Sequence, residues 1–395
     1  MRFSSRVDAS RPNAISMAEA LCRRDGVELV KLNDSNPTRH GLAPALVPGV
    51  YEANPRGPLG ARKALAAFLS GGGADGVRRE RPVDPERLYL LSSTSEAYSW
   101  LMKLLCDPGD AVLAPKPGYP LIESIARLEN VKTIEYSLMF DGSWFFDLPR
   151  IEEILDSEEG ARVRAMVLIN PNNPTGSYVK PEERRRLVSM CREHDVAVIA
   201  DEVFFGYDLE PFDGNARLAG ESGVLTFALD GFSKMLAAPH AKVGWIEVSG
   251  PESDVGEAQR RLDVIADDFL PMSDIIAERI PAMLEAAAGQ SDRVRERTRG
   301  NLVRLHELLD ADSLGVTSVL RAEGGWNVLL RFPSSIDETQ LVLHLIHDHA
   351  STAQPGFFFD MTSNGYLAVS LLPEPEVFEA GIHAVLAAIR ESLGE

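Results

Sequence analysis

Cysteine is scarce. Cys22, Cys106 and Cys191 are the three in 395 residues, too few for a disulfide framework and without a metal or redox spacing. They read as buried thiols of a reducing compartment. Basic residues are in deficit too, 40 Lys and Arg against 59 Asp and Glu, for a formal net charge of −19. A field of that sign repels nucleic acid and anionic membrane, so any anionic ligand must be held by a local pocket. No apolar run approaches the length of a membrane span, and the opening residues MRFSSRVDASRPNAIS lack the apolar core of a secretion signal. Internal repeats and low-complexity tracts are missing as well. These absences leave a cytoplasmic globular chain as the expectation, with small molecules as its partners and neither nucleic acid nor membrane among them.

What is present is material for a large core: 45% of the residues are hydrophobic and 25% charged. The middle of the chain alternates short apolar runs with amphipathic stretches. Strands are expected at Leu88–Leu91, Ala111–Ala114, Thr133–Tyr136, Ala165–Ile169, Val196–Ala200, Val224–Leu229 and Val243–Val248. Helical patterns such as Glu96–Leu105, Tyr119–Leu128 and Pro181–Glu193 lie between them. The alternation predicts an α/β fold whose large domain holds a mostly parallel sheet of the seven-stranded type, flanked by helices. From about Ser253 to Leu309 the pattern turns helical, broken near Leu270–Met272 and at Pro281, and strands follow at Trp326–Phe332 and Tyr366–Leu371. These parts predict a smaller α/β domain made of residues 1–41 and 281–395, beside a large domain of residues 42–280.

Five polar or turn-rich clusters fall just after expected strands: Ser92–Glu96, Lys116–Pro120, Asn170–Gly176, Asp201-Glu202 and Gly231–Lys234. Ligands of open parallel sheets bind beyond the carboxyl ends of the strands, which is where these clusters fall. Ser93, Thr94 and Ser95 open a helix and can serve a phosphate, although Ser93 with Glu96 also reads as a plain capping box. Tyr119 can face a planar ring or fill a surface turn. Asp201 ends a buried strand, where a carboxylate must meet a cation or donors. A protonated pyridine nitrogen would serve, as would a structural ion pair. Lys234 ends another apolar strand, and desolvation there favours the neutral amine that forms imines.

In this order and spacing the residues resemble the fold-type I, class I/II aminotransferases that use pyridoxal 5′-phosphate. The resemblance runs from about Asn36 to Leu372 and is most specific in Asn-Pro-Asn-Asn-Pro-Thr-Gly and in the segment from Gly231 to Gly244. It implies that Lys234 is the catalytic residue, bonded to the cofactor as a Schiff base, and that amino groups pass from an amino acid or related primary amine to a keto acid. It further implies that Asp201 pairs with the pyridine nitrogen, Asn173 meets the phenolic oxygen and Tyr119 stacks on the ring. Ser93, Thr94, Ser95, Ser233 and Lys242 hold the phosphate in this likeness, and Tyr51 reaches the phosphate of a neighbouring subunit, which implies a homodimer. No metal is expected.

Four positions depart from the pattern. Lys242 stands where an arginine is usual, Gly231 where a serine is usual, and Phe204 where a tyrosine is usual. Ala368 takes the place of the arginine that clamps the substrate carboxylate in Gly-x-x-Arg-x-Ser. Arg39, after Asn36-Pro37-Thr38, is the preferred substitute for that arginine; Arg331, His40 and His240 are weaker candidates near the site. The departures keep a second reading open, a lyase, decarboxylase or specialised biosynthetic enzyme with the same cofactor. An effector-binding regulator without catalysis is a third class, against which the acidity argues.

Overall fold

The computed structural model describes residues 1–7, 14–29, 34, 36–44, 47, 49–210 and 214–394. Eight strands build the larger sheet: β1 (Leu88–Leu91), β2 (Ala111–Lys116), β3 (Lys132–Phe140), β4 (Trp144–Phe146), β5 (Val163–Ile169), β6 (Ala197–Asp201), β7 (Thr226–Gly231) and β8 (Gly244–Ser249). Their spatial order is β1-β8-β7-β6-β5-β2-β3-β4. Parallel ladders join β3, β2, β5, β6 and β7, whereas β8 runs against both β7 and β1. All seven residues of β5 are buried, as a central strand covered by helices on both faces requires. The seven expected strands are all present. The eighth, β4, is a three-residue hairpin partner of β3, too short to carry a periodic signal.

The smaller sheet contains β9 (Ser318–Val319), β10 (Asn327–Arg331), β11 (Gln354–Pro355) and β12 (Tyr366–Ser370), in the order β11-β12-β10-β9, every pair antiparallel. Its apolar face packs with Leu302, Leu305, Phe378, Ile382 and Ile389 from the helices Ala287–Ala311 and Pro375–Ser392. The helical third breaks where the sequence suggested. Leu270 adopts φ 43° after the helix Glu252–Phe269, and Pro281 sits in the first turn of Ile280–Glu285, where its missing N–H costs nothing.

The amino-terminal residues depart from the expectation that residues 1–41 join the smaller unit. Met1–Val7 are tied to the large one: the Ser4 N–H donates to the Leu104 carbonyl, and the Arg261 guanidinium donates to the carbonyls of Ser4 and Val7. Val7 is buried with residues of the helices Thr94–Leu105 and Glu252–Phe269. The helix Ala14–Arg24 buries none of its side chains.

Candidate active site

Strand direction assembles the site. β1, β2, β5, β6 and β7 point the same way, so their carboxyl ends share one sheet edge. Antiparallel β8 returns its first residue to that edge, where Gly244 pairs with Leu91 on one side and Gly231 on the other. The approach is tight. A side-chain carbon on Gly244 would lie 3.1 Å from the Ser93 carbonyl carbon and 3.2 Å from the Thr94 nitrogen. One on Gly231 would lie 2.9 Å from the Val243 oxygen, so this crossing leaves no room for the serine that the resemblance expects.

Lys234 rides the single helical turn Phe232–Met235, and the Tyr207 hydroxyl donates to its carbonyl at 2.6 Å. Its ammonium lies 5.2 Å from the ring centre of Phe204 and 5.1 Å from that of Trp326. It makes no hydrogen bond or ion pair with any described residue. Burial lowers the Lys234 pKa, and the charge of Asp201 opposes that shift in part. Asp201 ends β6, the strand beside β7, which leads into the turn that carries Lys234. One oxygen accepts the Tyr98 hydroxyl at 2.9 Å and the other the Val203 N–H at 3.3 Å. Burial pushes its pKa up to about 6 against those two hydrogen bonds. An amine and a carboxylate thus face the same space without pairing to each other.

The hydroxyl cluster opens the helix Thr94–Leu105. Ser93 caps it by accepting the Glu96 N–H at 3.2 Å, while the Glu96 carboxylate reaches past it to the N–H and hydroxyl of Ser92. The capping box read from the sequence is therefore displaced by one residue on its return side. The side chains of Thr94, Ser95 and Ser233 find no hydrogen-bond partner among the described residues. Asn173 is oriented by Asn327, whose amide donates to its oxygen at 3.0 Å and leaves the Asn173 amide N–H free to donate elsewhere. The loop around it is locked: Thr175 donates to Asn172, and the Asn172 N–H donates to the Ser177 carbonyl.

Other candidates are not gathered by this one chain. Tyr119 is 47% exposed, and Lys242 is exposed in the left-handed region at φ 51° without an ion pair among the described residues. Tyr51 and Arg39 belong to one exposed surface unit, in which Asn36 donates to the Tyr51 carbonyl and the Tyr51 N–H donates to the Thr38 hydroxyl. Arg39 itself pairs with Asp34 at 3.4 Å. Arg331 is exposed at the far end of β10, opposite Tyr366, and His40 and His240 are exposed. Ala368 is buried between Leu329 and Gln354 on neighbouring strands and offers no polar atom beyond its backbone.

Three residues at the site carried no readable signal in the sequence. Tyr98 lies one turn after Thr94 on a helix whose other inward residues are core, Tyr207 acts through backbone carbonyls, and Asn327 looked like any polar strand residue.

A half-buried carboxylate, an unpaired desolvated amine, unpartnered hydroxyls at a helix start and a free amide N–H together define a site for an anionic ligand with a cationic aromatic ring and a reactive carbonyl. That is the donor set for pyridoxal phosphate, and the residues fit it. From residue 53 to 380 the chain matches the model of aminotransferase class I and II, and it belongs to that family. The cofactor is pyridoxal 5′-phosphate. The chain is 30% identical to the glutamate-pyruvate aminotransferase AlaA of Haemophilus influenzae over 61% of this chain and 60% of that protein. It is 25% identical to the alanine aminotransferase of Mycobacterium tuberculosis over 88% of this chain and 82% of the relative. The fold of the alanine aminotransferase from Pyrococcus furiosus superimposes with a TM-score of 0.75 at 20% identity, covering 99% of this chain and 100% of that one.

If Asp201 meets the ring nitrogen, its raised pKa sets a pH dependence of cofactor affinity. Below about pH 6 the cofactor-free site holds a proton on Asp201, and a cationic ring bound there would have to displace it. Affinity for pyridoxal phosphate should therefore fall by up to about tenfold per unit as pH drops below 6, and level off above it. Equilibrium dialysis across pH 4.5–8 (about these limits) reads the bend.

Proposed function

We propose that this chain is an aminotransferase that moves the amino group of an amino acid or related primary amine onto a keto acid. The observation that carries the reading is the desolvated amine of Lys234, unpaired beside the half-buried carboxylate of Asp201. The cofactor supplies an electron sink for the carbanion formed at the substrate's Cα. Lys234 Nζ takes the proton from Cα and returns it to the carbon that receives the amino group. Asp201 holds the ring nitrogen protonated, and Tyr98 and the Val203 N–H hold Asp201. Asn173 donates to the phenolic oxygen, alone, because Phe204 has no hydroxyl to add. Ser93, Thr94, Ser95 and Ser233 take the phosphate, with Lys242 supplying charge without the bidentate fork of an arginine. Tyr119 is the residue assigned to the ring face.

The reading includes a homodimer. The surface near the amino terminus supports it: Ile15, Met17, Leu21, Leu42, Val50 and Tyr51 are all exposed, and an apolar surface of this extent fits association with a second copy. Tyr51 and Arg39 then serve the partner's site, Tyr51 at the phosphate and Arg39 at the carboxylate that Ala368 cannot meet. Complementation tests this. Lys234→Ala and Tyr51→Ala chains, each impaired, should on mixing regain about a quarter of wild-type activity, because half of the dimers are mixed and each restores one site of two. No recovery after verified subunit exchange counts against shared sites. Arg39→Ala should raise KM for the amino acid by about tenfold to a hundredfold with kcat little changed, as loss of a charge-assisted contact does. An unchanged KM removes Arg39 from the carboxylate.

A cytoplasmic setting is proposed with it. Cys106 and Cys191 are buried free thiols, pushed by burial up to about 12, as suits a reducing compartment. No described helix is long and apolar enough to cross a membrane.

A further inference from the structure

Two of the eight histidines converge on one carboxylate, in the smaller unit. His344 and His349 stand on the helix Glu338–His349, and Glu391 on the terminal helix Pro375–Ser392. Nε2 of His344 lies 2.6 Å from Oε2 of Glu391, and Nε2 of His349 lies 3.2 Å from the same oxygen. One ligand atom from each residue lies within 4.8 Å of the other two. Tetrahedral zinc, with bonds of about 2.0–2.2 Å to nitrogen and oxygen, holds its ligand atoms about 3.4 Å apart. Outward rotation of these partly exposed side chains by less than an ångström or so makes that room. A second carboxylate stands behind the first histidine: Asp348 lies 3.7 Å from Nδ1 of His344. That distance is beyond a hydrogen bond; closed to one, the carboxylate would fix the tautomer that leaves Nε2 free to bind a metal.

We propose that His344, His349 and Glu391 form a binding site for one divalent transition-metal ion of the zinc class, which clips the helix Glu338–His349 to the terminal helix. Two imidazoles and one carboxylate suit zinc, copper or nickel, whereas calcium and magnesium call for more oxygen ligands. Partial exposure leaves the remaining coordination positions to water. None of these residues belongs to the aminotransferase machinery, so the clip is separable from it.

The untagged, cofactor-loaded full-length protein, stripped with chelator, is titrated with zinc chloride by calorimetry, with magnesium chloride as the comparison. One zinc per chain is expected, with Kd below about 10 µM, and no magnesium heat. His344→Ala and Glu391→Gln should each weaken zinc at least about tenfold. Zinc should raise the melting temperature of the wild type more than that of either variant, while amino transfer by both variants stays at the wild-type rate and reports an intact fold. Absence of zinc binding, or equal binding by wild type and both variants, overturns the proposal.

Discussion

Lys234→Ala lowers amino transfer by at least about 10⁴-fold, the upper range for loss of a positioned acid–base group, with loss of the covalent anchor in addition. No neighbour can substitute. The Lys234 ammonium faces the rings of Phe204 and Trp326, and no other amine among the described site residues shares its desolvated position. The fold should survive, because the side chain makes no hydrogen bond or ion pair whose loss would expose a partner. Removal of a half-buried, unpaired cation even relieves a desolvation cost. Cofactor should still bind the hydroxyl cluster and Asp201. Borohydride should fix it to the wild-type chain and not to the variant. Retention of the covalent label after Lys234→Ala would assign the anchor to another residue.

Asp201→Asn comes second in size, with kcat lowered about 10²–10³-fold, the scale for loss of one preorganised electrostatic partner in a water-poor site. The shape is preserved and the Tyr98 hydroxyl keeps an acceptor, so the loss is one of charge. Two readouts separate this from a structural defect. The bend in cofactor affinity near pH 6 should disappear, since no group is left there to exchange a proton with the ring. The cofactor-free protein should also become more resistant to unfolding at alkaline pH. The sign follows from the raised pKa: the folded pKa of about 6 lies above the unfolded value, so the wild type loses stability as pH rises through that interval, and the asparagine variant does not. A variant with an unchanged affinity profile would remove Asp201 from the ring nitrogen.

The site was legible where the chemistry is written in adjacent residues. Asn170–Gly176 and Gly231–Lys234 follow strands whose apolar runs are unambiguous, and strand direction then brings them to one edge. What stayed hidden was carried by pairings between distant segments. Tyr98 holds Asp201 from a helix that otherwise reads as core, and Asn327 orients Asn173 across 154 residues of sequence. Gly231 stood in the sequence only as a glycine where a serine is usual. Its contact with Val243 makes it a packing requirement of the β7–β8 crossing, a fact that no local pattern contains. Met1–Val7 likewise gave no periodicity to follow, and their attachment rests on Leu104 and Arg261, far along the chain. The short strands β4, β9 and β11 are set by their partners and not by their own two or three residues.

The direct test of the account is a half-reaction. Cofactor-loaded protein is mixed with each of the common amino acids in turn, in the absence of any keto acid, and the products are counted against chains. With an accepted amino acid, one keto acid per chain should appear without free ammonia, and the amino group retained by the protein should then pass to an added second keto acid, one for one. Ammonia released in step with the keto acid, with nothing left to transfer, would contradict transamination.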